Sequence, residues 1–363
     1  MDARERVFLA LANKEPDRVP IDYWATREIN RKLLTRFSFS TQEQLLQHLD
    51  VDFRYIDGPR YIGPEPGVHP DGSVEDHWGT PRVRVTVGSG GKVGEYDEVV
   101  KFPLAGAESV EAIRDYPKWP SPDWFDYGVV RDQVAEARQM GKVVVFMGDR
   151  MNRCAQLKPA MYLRGIEQIL LDLVLAPEIA EHVFQRVAEF YLEYAQRTFD
   201  AAAGGIDIFF TGDDFGTQNG LFMSPEMWRR FLRPGFKAFV DLAKRYGCKV
   251  AHHSCGSIKP LIPDLIECGL DILNPIQPEA RDMEGRELKR LFGERLCFHG
   301  SLSIQRTLPF GTPEDVRHEV RDRFETLGPG GGFIFCTAHN IQADTPLENV
   351  EALFEAYQSI GRY

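Results

Sequence analysis

The chain is expected to fold as an α/β protein: a (β/α)8 TIM barrel with a β-hairpin insertion after its second strand and extra helices. Three observations predict this. Short β-branched and aromatic runs alternate with amphipathic stretches, eight such runs are found, and polar side chains collect just past the ends of several of them. Strands are expected over residues 18–23, 52–57, 142–148, 206–211, 249–253, 271–275, 295–299 and 332–336. The intervening helices carry their own signals. Ser224 followed by Pro225 and Glu226 predicts a helix running to about Tyr246 and stopped by Gly247. A second helix is expected over 257–267, ending at Gly269, and a third over 313–327, capped by Thr312.

Two regions depart from the rhythm. Residues 58–107 hold GPEPG, DGS and GSGGK turns around the alternating run from Arg82 to Val87, which predicts a hairpin lying over the C-terminal face of the barrel. The stretch 151–205 carries a helix pair, expected at 163–175 and 177–203. With no Ser/Gly-rich linker, low-complexity tract or fixed-period repeat, residues 1–363 are expected to form a single domain.

Composition limits the function. A net charge of −11 argues against a nucleic-acid partner, which would want a basic excess. No apolar run approaches the roughly 20 residues of a membrane span, and the N-terminus lacks the apolar stretch of a secretory signal. Six cysteines are too sparse for a disulfide framework and fit a reducing cytoplasm.

The barrel reading places side chains. In such folds the site forms where strands end. His253 and Cys255 follow the fifth run and Cys336 ends the eighth, while Asp213, Asp214, Asn274, Gln277, His299, His339 and Asn340 stand at or near other run ends. So many polar groups there are costly to bury unless they bind something. Two thiolates and an imidazole make a soft donor set suited to zinc, and three protein ligands leave a fourth position open, as catalytic zinc requires. The bland alternative is that His-x-Cys arises by chance and the thiols are small hydrophobes, the reading taken for Cys154, Cys248, Cys268 and Cys297. Adjacent His252 competes as a ligand, although strand alternation would point it away from His253. Asp213 and Asp214 could simply cap a turn. The Gly330–Gly332 run precedes a strand instead of opening a helix, which argues against a phosphate cradle.

The segments DRVP, DDFGTQNG with SPEMWRRF, HSCGSIKPLIPDLIECGLDILNPIQ, FHGSLSIQ and GGGFIFCTAHNIQADTPLENV together give the chain its resemblance, over nearly its full length, to the uroporphyrinogen decarboxylase superfamily. Within it the chain resembles the cobalamin-linked methyltransferase branch. The porphyrinogen decarboxylases carry Arg-Gln-Ala-Gly-Arg near the N-terminus, where this chain reads IDYWATREINRKLL with Arg27 and Arg31 in another context. They also carry Asn-Leu-Gly-His where this chain has Cys336-Thr-Ala-His339. The zinc-dependent thiol methyltransferases are similar to it at those positions.

That resemblance implies a zinc ion (Zn²⁺) held by His253, Cys255 and Cys336. It also implies a methyl group moved between methylcobalamin, or another corrinoid, and a small methyl donor or thiol acceptor. Asp213, Asp214, His299 and His339 are then the candidate catalytic residues, and Asn274, Gln277 and Asn340 the candidate substrate-binding ones. The chain lacks the Asp-x-His-x-x-Gly signature of a corrinoid domain, so the corrinoid is expected on a separate corrinoid-binding protein. Two alternatives stay open: a metal-free lyase acting on a tetrapyrrole carboxylate, with Arg54, Arg60, Arg150 and Arg153 as its cations, and a non-catalytic corrinoid- or tetrapyrrole-binding protein. Exposed helices around a barrel leave a homodimer open as well.

Overall fold

The computed structural model describes residues 1–87, 94–148 and 152–362. Arg150 and the whole GSGGK turn, residues 88–92, lie outside the described residues.

Seven strands form one parallel sheet that curls around a packed interior. In chain order they are β1 (Phe53–Ile56), β2 (Val143–Phe146), β3 (Ile208–Gly212), β4 (Lys249–His253), β5 (Ile272–Asn274), β6 (Cys297–His299) and β7 (Phe333–Ile334), and each pairs with the next. Every strand but two is buried along its whole length, the pattern of a sheet covered on both faces. The exceptions are β1 and β4, each with one half-buried residue.

The first expected strand, 18–23, makes no ladder. It contributes a parallel bridge between Ile21 and Phe335, and the Asp52 N–H donates to the Ile21 carbonyl at 3.0 Å, so the segment still spans the gap between β7 and β1. Two residues explain the missing ladder. Pro20 has no N–H to give, and the Ile21 N–H is captured by the Asp52 carboxylate at 2.9 Å. The barrel is closed by hydrogen bonds instead of by a full strand.

The helices follow their caps. Thr312 and Asp315 form a capping box at the head of Pro313–Leu327, over the expected span. Ser224 caps Pro225–Phe231, but the helix breaks at Leu232 and restarts as Arg233–Arg245. Pro234 cannot donate to the preceding turn, and its ring crowds it. Similarly, Gly165 at φ +90° separates Leu157–Arg164 from Ile166–Leu175, ahead of the long helix Pro177–Ala202. The helix expected over 257–267 is a short 3-10 turn, Lys259–Leu261, followed by Ile262–Cys268.

Between β1 and β2, Pro81–Val87 pairs antiparallel with Gly94–Val99, and Val74–Glu75 adds a third short strand. Arg84, Tyr96 and Asp97 of this hairpin line the same cavity as His253 and Asp214, which places it above the strand ends. Among the described residues no helix is long and apolar enough to cross a membrane.

Candidate functional site

The site begins with the end of β4. Strand alternation sends His252 and His253 to opposite faces. His252 packs outward against Phe215 and Phe236, at ring separations of 5.1 and 5.0 Å, with Nδ1 2.8 Å from the Thr211 hydroxyl. His253 turns inward, beside Trp24. Parallel register sets Asn274 of β5 next to His253, and His253 Nδ1 lies 2.5 Å from Asn274 Oδ1. An amide oxygen only accepts, so Nδ1 carries the proton and Nε2 keeps its lone pair.

That lone pair faces a thiol. Cys255 Sγ lies 3.4 Å from His253 Nε2, and burial, helped by nearby Asp214, pushes the thiol up to about 12, so it holds its proton and donates it to the ring. Burial also drives His253 down to about 3, leaving it neutral at physiological pH. Asp214 accepts the Cys255 N–H at 2.9 Å and the Lys158 ammonium at 2.6 Å. Burial would raise the Asp214 carboxyl, yet the Lys158 ammonium and the Cys255 amide hold it below its ordinary value. Because Lys158 supplies a permanent cation, we assign an ionised Asp214 beside a neutral His253.

His253, Cys255 and His339 offer ligand atoms that all lie within 4.8 Å of one another. Cys336 falls in a different group of the same kind, with Asp22 and His299. The expected trio is therefore not gathered around one centre: two members stand together, and the third is fully buried beside Asp22. His339 differs from His253 in its wiring. Its Nδ1 accepts the Asn340 N–H at 2.8 Å, so the neutral ring carries its proton on Nε2.

The remaining expected residues sort by what they touch. Asp213 accepts the N–H groups of Gln156, Leu157 and Lys158 at 2.6–2.8 Å and so caps the helix Leu157–Arg164, the turn-capping alternative. Burial pushes it up to about 6 against those three donors. Gln277 accepts the Gly256 N–H at 2.7 Å, holding the loop after Cys255. Asn274 and His299 are buried beneath His253 and line none of the described cavities. Of the four arginines weighed for a cationic pocket, Arg54 is held by Glu43 and Arg60 by Asp126, while Arg153 lines two cavities. Sequence reasoning passed over Lys158, Asp22 and Trp24. Asp22 had a signal: a lone carboxylate inside an apolar run, followed by two aromatics.

Three cavities meet here. One of about 640 Å³ lies under the hairpin and is lined by His253 and Asp214. A second, of about 520 Å³, is lined by Trp24, Phe53 and Tyr55. A third, of about 230 Å³, reaches Cys255 and Gln277. His339 lines all three.

A parallel barrel whose strand ends converge on a histidine–thiol pair between cavities defines the class: a TIM-barrel protein with its site at the C-terminal face. The chain belongs to the uroporphyrinogen decarboxylase (URO-D) family, whose profile matches residues 122–360. Among its relatives is a methylated-thiol–coenzyme M methyltransferase of Methanosarcina mazei, 27% identical over 56% of this chain and 52% of that protein. A methylcobamide:CoM methyltransferase of Methanosarcina barkeri is 26% identical over 49% of this chain and 48% of that one. A uroporphyrinogen decarboxylase of Coxiella burnetii is 24% identical over 51% of this chain and 48% of its own length. The chain thus spans about half the length of the curated relatives it matches. A solved methyltransferase from Methanosarcina mazei shares the fold, with a TM-score of 0.65 and 18% identity over 99% of both chains.

Proposed function

We propose that the chain is a zinc-dependent methyltransferase that moves a methyl group between a corrinoid on a partner protein and a small molecule, most simply a thiol. The observation that carries this reading is the pairing of the His253 Nε2 lone pair with Cys255 Sγ at 3.4 Å. Tetrahedral zinc with Zn–S near 2.3 Å and Zn–N near 2.0 Å sets its sulfur and nitrogen ligands about 3.5 Å apart, so the two side chains fit the metal. We take Cys336 as the third donor, which requires its thiol to turn from the Asp22–His299 group, where this structure has it, toward His253 and Cys255. What supports it over His339 is that the His339 Nδ1 lone pair is already engaged by the Asn340 N–H. A second sulfur also keeps the donor set soft.

What a zinc ion supplies when bound is a positive charge that favours the anionic form of a substrate thiol at neutral pH. The protein's own residues do the rest. Asp214 fixes the Cys255 backbone, and Lys158 balances the carboxylate. His339 directs an N–H toward the cavities and can orient a polar group of the small molecule. Trp24, packed on both His253 and His299, excludes water from beneath the ligand. Methyl transfer is an in-line displacement, so donor and acceptor must approach one carbon from two directions. Separate cavities converging on His339 suit that demand. The metal-free lyase has less support, since two of the cations it needs are neutralised by carboxylates.

Metal analysis of the purified protein, together with methyl transfer from methylcobalamin to a thiol, tests the reading. Wild type is expected to hold one zinc per chain and to consume methylcobalamin. Cys255→Ser and Cys336→Ser should lose the metal, and His339→Gln should keep it. Wild type with less than about a tenth of an equivalent of zinc would overturn the proposal, and loss of the metal in His339→Gln with retention in Cys336→Ser would reassign the third ligand.

A further inference from the structure

Behind His253 runs a chain of buried hydrogen bonds whose middle members, Asn274 and His299, line none of the described cavities and that the proposed reaction does not use. His253 Nδ1 meets Asn274 Oδ1 at 2.5 Å, and Asn274 Nδ2 meets His299 Nδ1 at 2.6 Å. His299 Nε2 then meets Asp22 Oδ2 at 2.8 Å, and the Tyr55 hydroxyl reaches the same oxygen at 2.5 Å. Tyr55 in turn accepts the Trp24 indole N–H at 2.8 Å. His299, Asn274 and Asp22 are all at most 3% exposed, so water does not compete for these groups.

Each link has only one direction. Asp22 sits among donors: the Tyr23 N–H on one oxygen, the Tyr55 hydroxyl and His299 on the other. Tyr55 has spent its acceptor on Trp24, so its hydroxyl points at Asp22. His299 must then donate from Nε2 and accept at Nδ1. The Asn274 amide is oriented independently, because its Nδ2 also donates to the His299 backbone carbonyl at 3.1 Å, a group that can only accept. With the NH₂ turned to His299, the amide oxygen faces His253 and takes its Nδ1–H. The polarity that starts at Asp22 therefore ends as a free Nε2 lone pair beside Cys255.

We infer that Asp22, His299 and Asn274 form a directional relay that fixes the tautomer of His253, with Asn274 and His299 acting as positioning residues. They are neither substrate-binding nor catalytic groups. The metal consequence rests on the zinc reading above, but the tautomer does not. Partners of this kind govern ligand orientation, and their loss typically weakens metal binding about 10–100-fold.

The test is ¹⁵N NMR of histidine-labelled protein, metal-free, joined to zinc affinity by competition with a chromophoric chelator. In wild type, His253 is expected to carry its proton on Nδ1 and His299 on Nε2. Asn274→Leu should shift His253 toward the Nε2–H form and weaken zinc about 10–100-fold. If that variant does not fold, Asp22→Asn serves in its place, because an amide that keeps the Tyr23 N–H bond must turn its NH₂ against His299. A wild-type His253 protonated on Nε2, or a folded variant with unchanged tautomer and affinity, would overturn the inference. Wild type with the expected tautomers but no zinc affinity would sink the proposed function and leave the relay standing.

Discussion

The Asp214 carboxylate accepts the backbone N–H of Cys255 at 2.9 Å, so a charge on one strand end fixes the loop that carries the thiol of the next. Its other oxygen is held by Lys158. Replacing Asp214 with Ala removes both anchors and is expected to weaken zinc binding by about 10–100-fold. Asp214→Asn keeps an acceptor for the Cys255 amide and should lose less. Chelator competition measures both; an Ala variant as tight as wild type would deny Asp214 this role.

The glycine after that thiol is needed for its backbone. Gly256 has φ +91°, and a Cβ there would stand 2.6 Å from the Gly216 carbonyl carbon and oxygen. Neither contact can yield, because both atoms belong to backbone. Gly256→Ala is expected to cost about 2–4 kcal/mol of stability from strain and overlap together. The denaturation midpoint should fall accordingly, and an unchanged midpoint would show that the loop relaxes freely.

The barrel strands were readable because each is a short apolar run between turn signals; Lys249–His253 is bounded as its residues suggest. The capping box at Thr312 made Pro313–Leu327 equally plain. Other features were out of reach for physical reasons. Pro234 and Gly165 each divide a stretch that reads as one helix, since apolar periodicity continues across both breaks. Histidine and cysteine at strand ends pointed to a site, but spacing along the chain could not say that Cys336 stands with Asp22 and His299. Nor could it show the relay. Asp22, Asn274 and His299 are brought together only by the closing segment and by parallel register.

The segment below the hairpin rests on a buried ion pair. Arg164 and Asp172 are 3% and 2% exposed at the side chain, joined at 2.6 Å, and Arg164 also donates to the Leu104 carbonyl at the hairpin's base. Arg164→Met would leave Asp172 without its counter-charge, with Gln168 as a remaining side-chain donor. A loss of about 3–5 kcal/mol is expected, much of it regained in Arg164→Met/Asp172→Leu, where neither charge is left buried. Denaturant titration of the three proteins checks this, and a double variant no better than the single one would point to the Leu104 contact instead.

Acid should unfold this protein through its paired histidines. Burial between Phe215 and Phe236 drives His252 from 6.5 down to about 3, and burial does the same to His253. A group with a lower pKa when folded binds fewer protons in the native state than in the unfolded one over the interval between the two values. The stabilisation from keeping His252 neutral is therefore complete above pH 6.5 and is lost as pH falls toward 3. Each such histidine contributes up to about 1.4 kcal/mol per pH unit in that window. His252→Gln removes one titrating group without touching the site, so the slope of unfolding free energy between pH 6 and 4 should drop by about one proton. A slope equal to that of wild type would mean that His252 already carries its proton in the fold, against the burial that surrounds it.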